Sequence, residues 1–268
     1  MVPMPDWARY WRASSVPVEA MHAHFSEHVY HRHSHETYSF GVTEAGAQAF
    51  RCRRAQHVSN PGLVMAFNPD DPHDGHAGSE DGFTYRIVHI WPEYFADLAD
   101  SPLPLFRDPV IDDPDAARAL LRLHAALTGG APELVRSERL TDAARTLSRV
   151  SSSGPPGLPG TGRAATREIA ARVRSFIHDA GDDVSLDDLG VAAGCTRYAA
   201  YRAFSTVYGM PPSDYQRLLR LRTARRLLAS GLSPAVAAAD AGFADQAHLT
   251  RWFRRIYGIT PGVYQAAS

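Results

Sequence analysis

Residues 193–216 read AGCTRYAAYRAFSTVYGMPPSDYQ, and residues 242–265 read GFADQAHLTRWFRRIYGITPGVYQ. Adding 49 to Arg202, Phe204, Tyr208, Gly209, Pro212, Tyr215 and Gln216 gives Arg251, Phe253, Tyr257, Gly258, Pro261, Tyr264 and Gln265. An offset of 48 carries Ala193 and Gly194 onto Ala241 and Gly242. So many landmarks at nearly one offset mark a supersecondary unit built twice. In each copy a short helix ends at a glycine, which opens the backbone to positive φ for a tight turn. A second helix starts at a small polar residue, Thr196 or Asp245, buries one aromatic, Phe204 or Phe253, and stops at Tyr-Gly. That is a helix-turn-helix, whose second helix enters the major groove with its N-terminal residues facing base edges. The two expected units cover residues 185–209 and 233–258.

The helical pattern extends on both sides of the first copy. From Ser213 to Ala229, Leu218, Leu221, Ala224 and Leu228 recur at core spacing, so a helix joins the copies. Arg217, Arg220, Arg222, Arg225 and Arg226 crowd that helix, and the pattern leaves open which touch phosphate and which are merely solvated. Ser185 is placed to cap a short helix, with Asp187 and Asp188 in its first turn where negative charge is favoured. Arg163 to Asp179 reads as one more helix, with Gly181 as its stop. Two reading helices on one connector can occupy successive major-groove segments about 34 Å apart, so one chain reads an asymmetric site.

Upstream, residues 151–162 (SSSGPPGLPGTG) have a linker composition, separating a domain at 1–150 from one at 163–268. Residues 20–92 carry short apolar or alternating runs, among them Tyr38, Phe40 and Val42, Leu63 to Phe67, and Phe83 to Ile90. Such runs, punctuated by Gly, Pro, Asp and Asn, predict antiparallel strands in a sandwich or barrel. Residues 114–128 and 132–150 predict helices with leucines at 120, 123 and 127, then 134, 140 and 147. Those leucines either cover the β core or contribute to a dimer contact.

From Thr161 to Ser268 there are 14 arginines and 9 acids, a balance of +5, while the preceding residues hold 14 arginines and 20 acids, a balance of −6. A basic C-terminal part fits a polyanion partner, though surfaces of that charge are common. The two cysteines, Cys52 and Cys195, fall in different domains, which excludes a disulfide framework or cysteine-rich zinc site and suits a reducing cytoplasm. No run of about 18 apolar residues predicts a membrane-spanning helix, and no leader pattern is expected at the N-terminus. No phosphate loop or nucleophile elbow points to an enzyme.

The C-terminal hundred residues resemble the DNA-binding domain of the AraC/XylS family of transcription regulators, with 242–265 similar to that family's signature around the second reading helix. The resemblance implies groove-facing residues at Arg197, Tyr198, Tyr201 and Arg202 in the first reading helix, and at Gln246, Ala247, Thr250 and Arg251 in the second. Arginine suits guanine, glutamine suits adenine, and Ala247 can meet only a thymine methyl. His248 is expected to pack or to meet phosphate. The segments HRHSHETYSFGVTEAG (31–46) and NPGLVMAFNPDDPHDGH (60–76) resemble the cupin-like sensor of the same family. The resemblance therefore implies an all-β jelly roll with flanking helices followed by an all-α tandem helix-turn-helix domain. Its implied partners are double-stranded DNA, a small-molecule effector, RNA polymerase and a second copy of the chain. An activator, located in the cytoplasm and off the membrane, is expected.

His31, His33 and His35 alternate, so all three are expected on one side of a strand, near His73, where metal-dependent cupins place ligands. Such enzymes usually add a glutamate four or five residues after the second histidine, and here Ser39 and Phe40 stand there. Three readings stay open: an effector pocket of His33, His35, Tyr38, His73 and Arg86; a divalent metal on His33, His35 and His73; or histidines with a purely structural role. His22, His24 and His28 are expected at the surface. No cofactor is demanded, and the alternative to a regulator is a metal-dependent cupin enzyme or metal sensor fused to a DNA-binding module.

Overall fold

The short runs of Val, Ile, Phe and Tyr fold as antiparallel strands in a computed structural model of the chain, which describes residues 4–13, 16–53, 55–100, 103–151, 164–180 and 184–267. The larger sheet holds β1 (Trp7–Arg12), β2 (Val18–Phe25), β4 (Tyr38–Gly46), β7 (Val64–Phe67), β9 (Phe83–Ile90) and β10 (Val110–Ile111), in the order β1-β2-β9-β4-β7-β10. The smaller holds β3 (Tyr30–His33), β5 (Gln48–Cys52), β6 (Ala55–Ser59) and β8 (His73–Ala77), in the order β3-β8-β5-β6. The expected strand region began at residue 20; β1 adds an earlier strand, paired with β2 from Trp7 against His24 to Arg12 against Glu19. Side chains join the two sheets across the interior. Phe67 stacks on His73 with ring centroids 3.9 Å apart, and the Tyr30 and Tyr85 hydroxyls lie 2.8 Å apart.

Helices α1 (Pro92–Ala99), α2 (Pro114–Thr128) and α3 (Glu133–Val150) follow. Asp113 caps α2 by accepting from the Asp115 and Ala116 amides, with Pro114 preset at the first turn. One buried cluster joins Tyr38, Phe40 and Val42 of β4 to Leu120, Leu123, Leu140 and Leu147 of the helices. Each such leucine contributes about 1.5–3 kcal/mol by leaving water. Leu140 and Leu147 are therefore spent on the β core, while Leu134 stays 70% exposed. The larger sheet is covered on both faces, by helices outside and by the smaller sheet inside.

The C-terminal part is helical: α4 (Ala164–Asp179), α5 (Leu186–Ala193), α6 (Arg197–Tyr208), α7 (Pro212–Ala229), α8 (Pro234–Asp240), α9 (Gln246–Tyr257) and α10 (Pro261–Ala266). Its caps repeat as the sequence does. Ser185 closes a capping box with Asp188 on α5, and Ser233 caps α8 through the Val236 amide. Thr196 accepts from the Ala199 amide at the start of α6, and Asp245 from the His248 amide at the start of α9. Gly194 and Gly242 turn the chain at φ +66 and +75, in the left-handed region a side chain rarely adopts.

By contacts, Met1–Pro156 group with Arg255–Ser268, and Gly157–Arg254 form a second unit. The tail joins the first group because Tyr264 donates to Glu19 Oε1 at 2.8 Å and the Arg12 guanidinium lies 4.8 Å over the Tyr264 ring. Beyond Ser151 the expected linker at 151–162 lies outside the described residues, as do Arg163 and Gly181. Among the described residues no helix is long and apolar enough to cross a membrane.

Candidate nucleic-acid interface and barrel interior

On α6 the helical period sorts the side chains cleanly. Ala200, Ala203, Phe204 and Val207 are buried, while Arg197, Tyr198, Tyr201 and Arg202 are all exposed along one side. On α9, Leu249 and Phe253 are buried and Gln246, Ala247 and Arg251 are exposed. Thr250 is half-buried, and its hydroxyl donates to the Gln246 carbonyl at 2.8 Å, which leaves its methyl and a lone pair for a ligand. Arg197 lies 5.0 Å over the Tyr198 ring and 3.3 Å from the Asp187 carboxylate, so its fork is held at the N-terminal end of α6. His248 packs: its Nε2 accepts from Trp252 Nε1 at 3.1 Å, and its ring meets Phe243 edge-on.

The crowded arginines of α7 separate by role. Arg222 is buried, Arg220 donates to the Gly242 carbonyl at 3.0 Å, and Arg217 pairs with Asp214 at 2.7 Å while lying 3.9 Å over the Trp252 ring. Arg217 and Arg220 thus tie the connecting helix to the second helix-turn-helix. Sequence alone could not sort these five, because packing and solvation leave the same spacing.

In the barrel interior His33, His35 and His73 converge, their nearest ring nitrogens all within 4.8 Å of one another and all three buried. His33 and His73 stand directly opposite in the β3–β8 ladder, so both point to the same face. His33 Nδ1 donates to the His31 carbonyl at 2.6 Å and His73 Nδ1 to the Asp71 carbonyl at 2.8 Å, which leaves each Nε2 as the lone-pair nitrogen. His33 Nε2 and His35 Nε2 lie 3.2 Å apart. His89 stands beside His35, with Nδ1 2.8 Å from the Ser39 hydroxyl. Burial pulls the His73 pKa down to about 4, so the ring is neutral at pH 7.

Several expected positions fall elsewhere. A register shift between Tyr30 and His33 breaks the alternation, so His31 is exposed and its carbonyl accepts from His33 Nδ1. Tyr38 and Arg86 lie on the sheet face opposite the histidines: the Tyr38 hydroxyl donates to the Pro104 carbonyl at 2.7 Å, and Arg86 pairs with Glu44 at 2.7 Å near His124. Both faces of that sheet are buried, so apolar alternation could not tell inside from outside. His24, expected at the surface, is buried with Nδ1 3.0 Å from the Thr84 hydroxyl, and His22 is half-buried against Glu44. A cavity of about 250 Å³ missed in the sequence lies between Trp11 and Arg12 of β1, Val18 of β2, Leu127 of α2 and Arg136 of α3. Nothing marked it, since one of its walls is the unforeseen β1.

The family model of the AraC-like ligand binding domain matches residues 15–148, half of the chain, and that of a helix-turn-helix domain matches residues 189–267. The chain belongs to the AraC family. It is an AraC-type transcription regulator, with an N-terminal ligand-binding domain and a C-terminal helix-turn-helix region. It is 27% identical over 226 residues to the HTH-type transcriptional regulator YbfI of Bacillus subtilis, covering 81% of this chain and 80% of that one. It is 29% identical over 177 residues to the transcriptional activator NphR of a Rhodococcus species, covering 64% of this chain and 44% of NphR. The structure of ToxT from Vibrio cholerae O395 superposes with a TM-score of 0.55 at 12% identity, over 97% of this chain and 96% of ToxT, which shows the shared fold.

Proposed function

We propose that this regulator reads an asymmetric operator with Arg197, Tyr198, Tyr201 and Arg202 in one major-groove segment and Gln246, Ala247, Thr250 and Arg251 in the next. The observation that carries this is the sorting on α6 and α9, where seven of the eight side chains are exposed and the opposite face is spent on the core. The connecting helix α7 has 18 residues, about 27 Å at 1.5 Å per residue, a length suited to groove segments one turn apart. A small-molecule effector bound in the barrel domain shifts the DNA-binding state by binding its two forms with different affinity. The V. cholerae structure with an unsaturated fatty acid and the activator NphR support an effector-controlled activator; contact with RNA polymerase and a place in the cytoplasm belong to the same proposal. We read the barrel as a sensor, with no catalytic step and no membrane attachment. A second copy of the chain is a further expected partner.

Selection of bound sequences from a random DNA pool, with the full chain at two salt concentrations, tests the reading. Two enriched blocks about one helical turn apart support tandem readout. Binding with no enriched motif that vanishes at higher salt overturns it, since charge alone gives that behaviour.

A further inference from the structure

Three imidazoles are buried together where the regulatory reading asks for no titratable group. Burying a polar ring costs free energy unless its donor and acceptor are both met. The Nδ1–H sides of His33 and His73 are met by backbone carbonyls two residues upstream, and the same bonds fix the tautomer that leaves Nε2 as the lone-pair nitrogen in both rings. Phe67, stacked on His73 with an interplanar angle of 5°, holds that ring in plane. One shared proton can satisfy the 3.2 Å contact between His33 and His35 alone. A cation satisfies all three.

We propose that His33, His35 and His73 bind a divalent transition-metal ion of the zinc class through their Nε2 atoms, with a fourth position open to water or to an anionic donor of the effector. Nitrogen ligands about 2.0–2.1 Å from a tetrahedral zinc stand about 3.3 Å from one another. His33 and His35 are at that separation already, and the third nitrogen needs to close from no more than 4.8 Å. Neutral imidazoles suit zinc, cobalt, nickel or copper, whereas magnesium and calcium require oxygen. The group contains no carboxylate to offset the charge, so an anion is the favoured fourth ligand. The inference deepens the sensor reading, but the site's existence does not depend on DNA binding.

The test uses the full chain stripped with a chelator and titrated with Co²⁺, then with Zn²⁺ in competition. One ion per chain with intense visible cobalt bands of a four-coordinate site is expected. His33→Asn and His73→Asn should each weaken binding by more than about 100-fold, the upper range for losing only an outer-shell partner. His76→Asn, at an exposed position of β8, should leave it unchanged. X-ray absorption on the zinc-loaded wild type counts imidazole ligands without any mutation, so a misfolded variant does not decide the matter. A folded wild type that takes up no stoichiometric ion, a spectrum without imidazole scattering, or undiminished affinity in both Asn variants overturns the proposal. The random-pool selection needs no metal, so the two readings fail separately.

Discussion

In the first helix-turn-helix Thr196 caps the reading helix, Phe204 fills the core and Gly209 ends it; in the second Asp245, Phe253 and Gly258 hold the same places. The readers differ. Two arginines and two tyrosines face outward from α6, while glutamine, alanine, threonine and arginine occupy the matching side of α9. The repeat therefore preserves what folding needs and lets the outward-facing positions drift, because core aromatics and caps obey packing rules that an exposed face does not impose. If the scaffolds are equivalent, Phe204→Ala and Phe253→Ala should each cost about 3–5 kcal/mol, both sites being fully buried. Urea unfolding of the full chain, followed by circular dichroism, measures both. A large loss in one copy with tolerance in the other would break the equivalence.

The turns are not identical. A Cβ at Gly190 would lie 2.9 Å from the Cys195 carbonyl and the Arg197 amide, whereas its counterpart 48 residues on is Ala238, buried without such a clash. In the first unit α5 thus approaches α6 backbone to backbone. Gly190→Ala should destabilise by about 1–3 kcal/mol through overpacking. Ala238→Gly should cost only about 1 kcal/mol of helix propensity. A neutral Gly190→Ala, read by the same unfolding assay, would mean that the first turn has the slack of the second.

The unequal legibility of the chain has a physical cause. The helical domain could be read because each copy checks the other: Ser185 recurs in role 48 residues on, and Thr196, Phe204 and Gly209 recur 49 residues on. The barrel has no second copy. Its strands β4, β7 and β9 were visible as apolar runs, but Tyr38, Phe40 and Val42 pack under helices while Ser39 and Thr43 face the interior. That reverses the rule that the apolar side of a strand looks into the barrel, and so Tyr38 and Arg86 went to the wrong face. Alternation points to His33 and His35 and the resemblance to cupins adds His73, yet the irregularity that sets His31 apart is a local backbone event no alternation reveals.

The difference between the two outward faces makes its own prediction. Arg202→Ala and Arg251→Ala should each weaken specific binding by about 1–3 kcal/mol if both forks reach base edges. The first should relax sequence preference in one enriched block and the second in the other, as measured by repeating the pool selection with each variant. Equal weakening across all sequences, with a shallower salt dependence, would reassign the arginine to phosphate.

The smallest expected effect probes how each copy ends. Tyr215 and its counterpart Tyr264 are both buried, and each uses its hydroxyl to tie down the segment after the reading helix. Tyr215 accepts from Arg174 Nε at 3.0 Å and lies 2.9 Å from His178 Nε2, both on α4; Tyr264 donates to Glu19 on β2. Replacing either tyrosine with phenylalanine keeps the ring and removes only the hydroxyl. The cost should be about 0.5–1.5 kcal/mol in each case, because the partners left behind are close to solvent or hold other bonds. Glu19 is such a partner, since its Oε2 still accepts from the Tyr10 hydroxyl at 2.5 Å. Glu19→Gln should therefore shrink the Tyr264→Phe effect and leave the Tyr215→Phe effect untouched, because only the first pair shares a hydrogen bond. Coupling of Glu19→Gln to both tyrosines in a double-mutant cycle would show that the two anchors are one network, and the repeat would then be a single cooperative structure instead of two copies of one solution.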